Sequence, residues 1–236
     1  MYKTALLAAL GLASVTAAKS ATYNGDLLVG FTTGSGSDVI YDLGSASSLT
    51  NGQTWDLSSV LTGYTLSGVE WGVIGSTGPV SGGSGLNNQR YVYTTDLTDP
   101  QNLTGKNMWN GINGTAVPGI YQNFTTTGAG ASLSIASTDI SGNSWYGSTT
   151  ISGGSGNSSG FFTAYADPNT TGLGSVNFYQ AVATDTAPTQ FGTFSLDGTS
   201  TLTFAAVPEP STFGLFAAGG GLLLLTWRNK FRSNKA

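Results

Sequence analysis

Asp38-Val39-Ile40-Tyr41-Asp42-Leu43 is the stretch from which the fold can be read: Val39, Tyr41 and Leu43 share one face and both aspartates take the other. That period of two predicts a half-buried strand with its carboxylates on the solvent side. Just upstream, Leu27, Val29 and Phe31 alternate in the same way, and residues 34–37 supply the turn, so the two runs predict a hairpin. Downstream the parity slips. Tyr64 and Leu66 occupy even positions, Val69, Trp71 and Val73 odd ones, and Gly68 stands at the change, where a β-bulge would bring all five to one side.

Further strands are predicted at residues 90–95, 132–136, 161–166 and 175–183. Helical periodicity is confined to two short pieces, 56–61 with Asp56 as N-cap and a segment within 117–124 following Pro118. Near the end, a two-residue Asp197-Gly198 turn would put Phe194 and Leu202 on opposite faces. A three-residue loop Leu196-Asp197-Gly198 pairs Phe194 with Ser200 and groups Phe194, Leu202 and Phe204, with Gly198 at the position that wants a positive φ; this register is preferred. Many short strands, Gly-rich turns and little helix predict an all-β fold, an antiparallel β-sandwich or jelly roll. The Gly/Ser-rich segments 78–85 and 152–160 read as loops; Gly154-Ser155-Gly156 is no phosphate loop, because neither a helix pattern nor a lysine follows.

Composition narrows the function. The 236 residues include 35 glycines, which raises the question of disorder, but aromatic and β-branched residues recur in alternating runs and answer it. Between residues 21 and 207 the cations are Arg90 and Lys106 against eleven acidic residues, a net charge of −9. Such a body repels phosphate backbones and anionic headgroups, so nucleic acid is excluded as a partner. With no cysteine, neither disulfides nor thiolate metal sites are available. The absence of histidine removes Ser-His-Asp triads, Cys-His dyads and the commonest general base.

Both ends of the chain look like address labels. Met1-Tyr2-Lys3, the apolar run 4–15 and the small residues Val15-Thr16-Ala17-Ala18 predict a secretory signal peptide over 1–18. At the other end stand Pro208-Glu209-Pro210, an apolar run from Phe213 to Trp227, and Arg228, Lys230, Arg232 and Lys235. As a helix, this 15-residue run rises roughly 22 Å, short of a ~30 Å hydrocarbon core. Trp227 at the interface and the snorkelling cations extend it, so a transmembrane helix is predicted over 212–227 with the C-terminus cytoplasmic. Pro208 and Pro210 keep the triplet extended.

Val207-Pro208-Glu209-Pro210-Ser211-Thr212, then a short glycine-containing span, then clustered Arg and Lys, resembles the PEP-CTERM sorting signal of bacterial exported proteins. The resemblance implies recognition by an exosortase, processing near Pro-Glu-Pro, and release or re-attachment of the body at the cell surface. It covers residues 207–236 and leaves the body, 19–206, to be read from its own residues.

The body offers little for turnover. A glycosidase needs two carboxylates about 5–9.5 Å apart, whereas Asp38 and Asp42 lie four strand residues, about 13 Å, from each other. Glu70, opposite Trp71 on its strand, reads as solvated. Asp96-Leu97-Thr98-Asp99 and Asp167-Pro168-Asn169 are oxygen-rich, but Asx turns account for them and no metal site or cofactor is assigned. The expectation is therefore a non-enzymatic structural or interaction component of the cell surface or of an exopolysaccharide (biofilm) matrix. The alternative is a lectin-like module that stacks glycans on Trp55, Trp109 or Trp145.

Overall fold

The computed structural model describes residues 25–76, 91–95, 104–112, 117–126, 128–138, 144–149 and 169–207. Ten strands are hydrogen-bonded into a sheet: β1 (Asp26–Thr32), β2 (Ser37–Ser45), β3 (Thr54–Asp56), β4 (Glu70–Ser76), β5 (Tyr91–Thr95), β6 (Ser132–Ala136), β7 (Thr170–Thr171), β8 (Gly174–Val182), β9 (Thr189–Leu196) and β10 (Thr201–Ala206). Their order is β3-β10-β9-β8-β5-β4-β1-β2-β6, with β7 added to β4, and every pairing is antiparallel. The expected antiparallel β architecture is present, but the ladder runs unbroken from β3 to β6 and does not divide into two sheets. Three short helices join it: α1 (Gly105–Gly111), α2 (Val117–Tyr121) and α3 (Trp145–Thr149).

Strand alternation explains how one sheet makes two cores. Odd residues of β1 and β2 (Leu27, Val29, Phe31, Val39, Leu43) join Trp71, Val73, Tyr93, Phe178, Phe194, Leu202 and Phe204 in one cluster. Among the described residues this face carries no α-helix, so burying it requires the sheet to curl over on itself. Rings meet between neighbouring strands on this face, Phe178 of β8 standing edge-on to Phe194 of β9 at 4.8 Å and stacking on Tyr93 of β5 at 5.5 Å. Residues of the other parity, Leu28, Ile40, Ile74 and Val92, form a second cluster with Met108, Ile112, Ile120, Tyr121, Phe124 and Trp145 from the helices and their flanks. The ladder ends in short strands, β3 and β6, which leave little exposed edge for unplanned pairing.

The hairpin forms as expected, with Val29 opposite Tyr41 and Phe31 opposite Val39. β5, β6, β8 and α2 lie where the sequence places them. At Gly68 the expected bulge is instead a 3-10 turn over Leu66–Gly68, yet Tyr64 and Leu66 do reach the same cluster as Val69, Trp71 and Val73. Residues 56–61 make a turn and not a helix: Asp56 ends β3, and its carboxylate accepts from the Ser58 N–H at 2.9 Å.

The last hairpin needs a larger correction. Phe194 pairs with Phe204 and Leu196 with Leu202, so the loop is three residues long but sits at 198–200, and Ser200, not Gly198, has the positive φ of 63°. Asp197 explains the choice. Its Oδ1 accepts from Thr199 N (2.8 Å), Thr199 Oγ1 (2.7 Å) and Thr201 N (2.9 Å), and these bonds offset the strain at Ser200 and lower the pKa of the carboxyl. The grouping of Phe194, Leu202 and Phe204 survives because both registers share one parity.

The signal peptide (1–18), the strand at 161–166, the segments 78–85 and 152–160 and the transmembrane helix (212–227) lie outside the described residues. Among the described residues no helix is long and apolar enough to cross a membrane.

Candidate functional site

Asp38 and Asp42, expected at the solvent face of β2, are fully buried, because the helix face of the sheet is covered as well. Asp38 accepts from Ser137 Oγ at 2.6 Å and from the Tyr146 N–H at 2.7 Å, so it holds the start of α3 from across the sheet. Ser144, which precedes that helix, donates to the Ser137 carbonyl (2.9 Å) and accepts from the Gly147 N–H (3.0 Å). Trp145, at 0% exposure, then lies over β1, where a Cβ at Gly30 would fall inside its indole ring. Its Nε1 donates to Asn169 Oδ1 at 2.7 Å.

Asp42 has a different set of partners. Oδ1 accepts from the Gly44 N–H at 2.8 Å, and Oδ2 accepts from the Gly128 N–H and the Tyr121 hydroxyl, each at 3.3 Å. The Tyr121 hydroxyl lies equally far, 3.3 Å, from Asp26 Oδ2, so one phenol proton is shared between two carboxylates. Burial, together with the charge of Asp26, pushes the Asp42 carboxyl up from 3.8 to about 6. Burial and the two aspartates likewise raise the Tyr121 hydroxyl.

This is the carboxylate pair that strand spacing along β2 did not reveal. Leu28 opposite Asp42, with Asp26 on the same parity, was the signal that could have found it. The pair is a joint more than a reaction centre. Asp42 and Tyr121 are closed to solvent, and Gly130 N to Asp42 O and Asp42 N to Ala131 O, both 2.8 Å, anchor the chain around Gly128 to the same residue. Among the described residues no three His, Cys, Asp or Glu converge on a common point.

A separate surface feature opens beside the β1–β2 turn. An open cleft of about 370 Å³ lies between Thr33, Ser35 and Ser37 on one side and Thr62, Tyr64 and Thr65 on the other, with glycines completing the wall. The Tyr64 hydroxyl donates to the Ser37 carbonyl and ties the two sides together. No charged side chain lines it. Sequence reading missed this cleft because Ser, Thr and Gly in loops carry no periodic signal.

The tryptophans expected as stacking platforms are distributed differently. Trp145 is buried and presents no face to a ligand, which corrects its candidacy. Trp55 is half-buried against Phe194, with ring centroids 6.0 Å apart, and Trp109 is half-buried against the helix-face cluster. These three residues do not come together: Trp55 belongs to the inner cluster, Trp109 and Trp145 to the other. Glu70 is half-buried on β4 beside Thr32 and Thr171. Pro208, Glu209, Pro210, Trp227, Arg228, Lys230 and Arg232 lie outside the described residues.

The chain just upstream of them is hydrogen-bonded to the rest of the fold. Among the described residues Phe204 is the last buried side chain, the Ala206 N–H donates to Asn51 Oδ1 at 3.0 Å, and the Val207 N–H donates to the Phe191 carbonyl at 3.2 Å. β10 thus ends at Ala206, and the Val207 N–H still bonds to β9. Neither the curated proteins nor the solved structures searched gave a match to this chain. One family model does match, the PEP-CTERM protein-sorting motif, over residues 206–232. Residues 206–232 are therefore a PEP-CTERM sorting motif, which implies an exported protein that is membrane-anchored, recognised by an exosortase and then processed.

Proposed function

We propose that the body is a structural or interaction component of the cell surface or extracellular matrix, delivered by its sorting motif and acting by assembly or binding without turnover. The observation that carries this reading is the match of residues 206–232 to the sorting motif, which begins where β10 (Thr201–Ala206) ends. Among the described residues, the buried side chains of both clusters belong to residues 27–204, upstream of the matched motif. Chemistry supports the absence of turnover: the chain has no histidine or cysteine, and of the carboxylates that share the Tyr121 hydroxyl, Asp42 is buried with its oxygens engaged by the Gly44 and Gly128 N–H groups. The carbohydrate-binding alternative draws its support from the hydroxyl-lined cleft and not from the tryptophans.

Sorting is tested by Glu209→Ala, which should leave full-length protein in the membrane fraction. Mass spectrometry of the surface or released fraction reads the outcome, and intact termini through Lys235 there would defeat the idea. Turnover is tested by offering glycosidase, protease and esterase substrates to the purified chain. Any activity abolished by Asp42→Asn or Glu70→Gln overturns the proposal.

A further inference from the structure

We infer that the cleft between the β1–β2 turn and the segment carrying Thr62, Tyr64 and Thr65 is a binding site for a neutral polyhydroxylated ligand, a stretch of uncharged polysaccharide. The inference deepens the binding arm of the function proposed above and rests on it. Its volume of about 370 Å³ lies within the ~300–1,000 Å³ range of ligand clefts.

The lining selects the class of ligand. Six side chains bear hydroxyl groups and the rest of the wall is glycine, with no cation to pair a phosphate, sulfate or carboxylate. Among the described residues the one cation is Lys106, on α1, which packs against β5 and β8, away from this cleft. An anionic polymer would also meet the acidic body. An apolar ligand is equally disfavoured, because burying hydroxyl groups against it would leave them unpaired. A neutral glycan matches both requirements, since each hydroxyl donates once and accepts twice, as sugar hydroxyls do.

Two further features favour binding over mere roughness. First, the hydroxyls of Ser35, Ser37 and Thr65 make no hydrogen bond among the described residues, so their capacity is available to a ligand. Second, the walls are held in place. Tyr64 bonds to the Ser37 carbonyl, Thr33 Oγ1 donates to the Ser35 carbonyl at 2.8 Å, and Thr62 Oγ1 donates to the Ser58 carbonyl at 3.2 Å. A site already ordered loses less entropy on binding. Half-buried Tyr64 adds aromatic surface to the lining of a polar cleft, a combination suited to the mixed C–H and O–H surface of a sugar ring.

The experiment titrates the full chain with neutral hexaoses of glucose, mannose and N-acetylglucosamine, and with an oligogalacturonate as the anionic control, by calorimetry. Two variants close the cleft. A Cβ at Gly68 meets nothing within 4 Å and the residue has an ordinary φ, so Gly68→Leu fills the space without touching the body; Ser35→Arg does so from the opposite wall and tolerates failure of the first. The expected result is binding of at least one neutral hexaose, weakened about tenfold or more by either variant at unchanged melting temperature, and unchanged in Trp109→Phe. Absence of binding to every neutral probe, stronger binding of the galacturonate, or full affinity in a folded cleft variant overturns the inference. In each of those cases the surface-component reading is judged separately by whether the chain reaches the surface fraction.

Discussion

Both faces of the sheet carry a buried cluster, yet the two are held by different chemistry. The inner face gathers Trp71 with Phe178, Phe194, Phe204 and Tyr93, and the last four meet ring to ring at centroid distances such as 4.8 and 5.5 Å, with no carboxylate in the cluster. The helix face mixes aliphatic side chains with directional bonds: Asp38 to Ser137 and Tyr146, Asp42 to Gly44, Gly128 and Tyr121, and Trp145 to Asn169. Apolar contacts depend on area and tolerate small displacement, while hydrogen-bonded carboxylates fix a position and are costly to leave unpaired. The five-to-seven-residue helices have too few turns to hold themselves together, so buried polar groups locate them.

That contrast can be broken or sharpened by experiment. The largest effect is expected on the inner face, where Phe178→Ala removes the ring shared by four aromatic neighbours and Val176-side packing, and should cost about 3–5 kcal/mol in urea unfolding. A cost below ~1 kcal/mol would mean that the curl is not closed around this residue. Next comes Gly30→Ala, which drives a methyl group into the Trp145 indole and should destabilise by roughly 2–3 kcal/mol, with a shift in tryptophan fluorescence as α3 lifts. Unchanged fluorescence would refute the packing of α3 on β1.

Asp42→Asn probes the polar joint through pH. Because the folded state raises the Asp42 pKa from 3.8 to about 6, it binds this proton more tightly than the unfolded chain does. The associated stability is present below pH 3.8 and is lost as pH rises through about 6. Wild type should therefore lose on the order of 1–2 kcal/mol relative to Asp42→Asn between pH 4 and 7. Parallel pH profiles would remove Asp42 as the titrating group. The smallest effect belongs to Ser148, whose hydroxyl is buried without a partner; Ser148→Ala should be neutral or stabilising by up to ~1 kcal/mol in thermal melts. A loss of more than that would reveal a bond to this hydroxyl.

Where sequence reading and structure part company, the causes are specific. The bulge expected at Gly68 and the loop expected at Leu196-Asp197-Gly198 were parity arguments; parity held in both cases while the local device differed. Ser200 takes a left-handed conformation that its residue type does not advertise, because Asp197 collects three hydrogen bonds by letting it do so. α1 escaped notice since Gly105, Asn107, Asn110 and Gly111 have low helix propensity, and Met108 and Ile112 are brought to the core by packing. The candidate cleft was equally illegible, as it joins residues 33–37 to 62–68 through a Tyr64 bond that has no trace in composition.

Alternation along β1, β2, β4 and β10 was enough to indicate an antiparallel β body and which residues of those strands share its inner face, because a strand's side-chain period is set by local backbone geometry. The order Pro-Glu-Pro, apolar span and basic cluster was enough to determine the sorting motif, because such a signal is read along the chain and does not wait for a fold. Burial of Asp38 and Asp42, the pairing of Asp42 with Asp26 through Tyr121, and the seating of Trp145 on Gly30 were decided by tertiary structure alone. Each depends on residues tens of positions apart, and whether the second face of a strand meets water or a helix is a property of what packs on it, not of the strand.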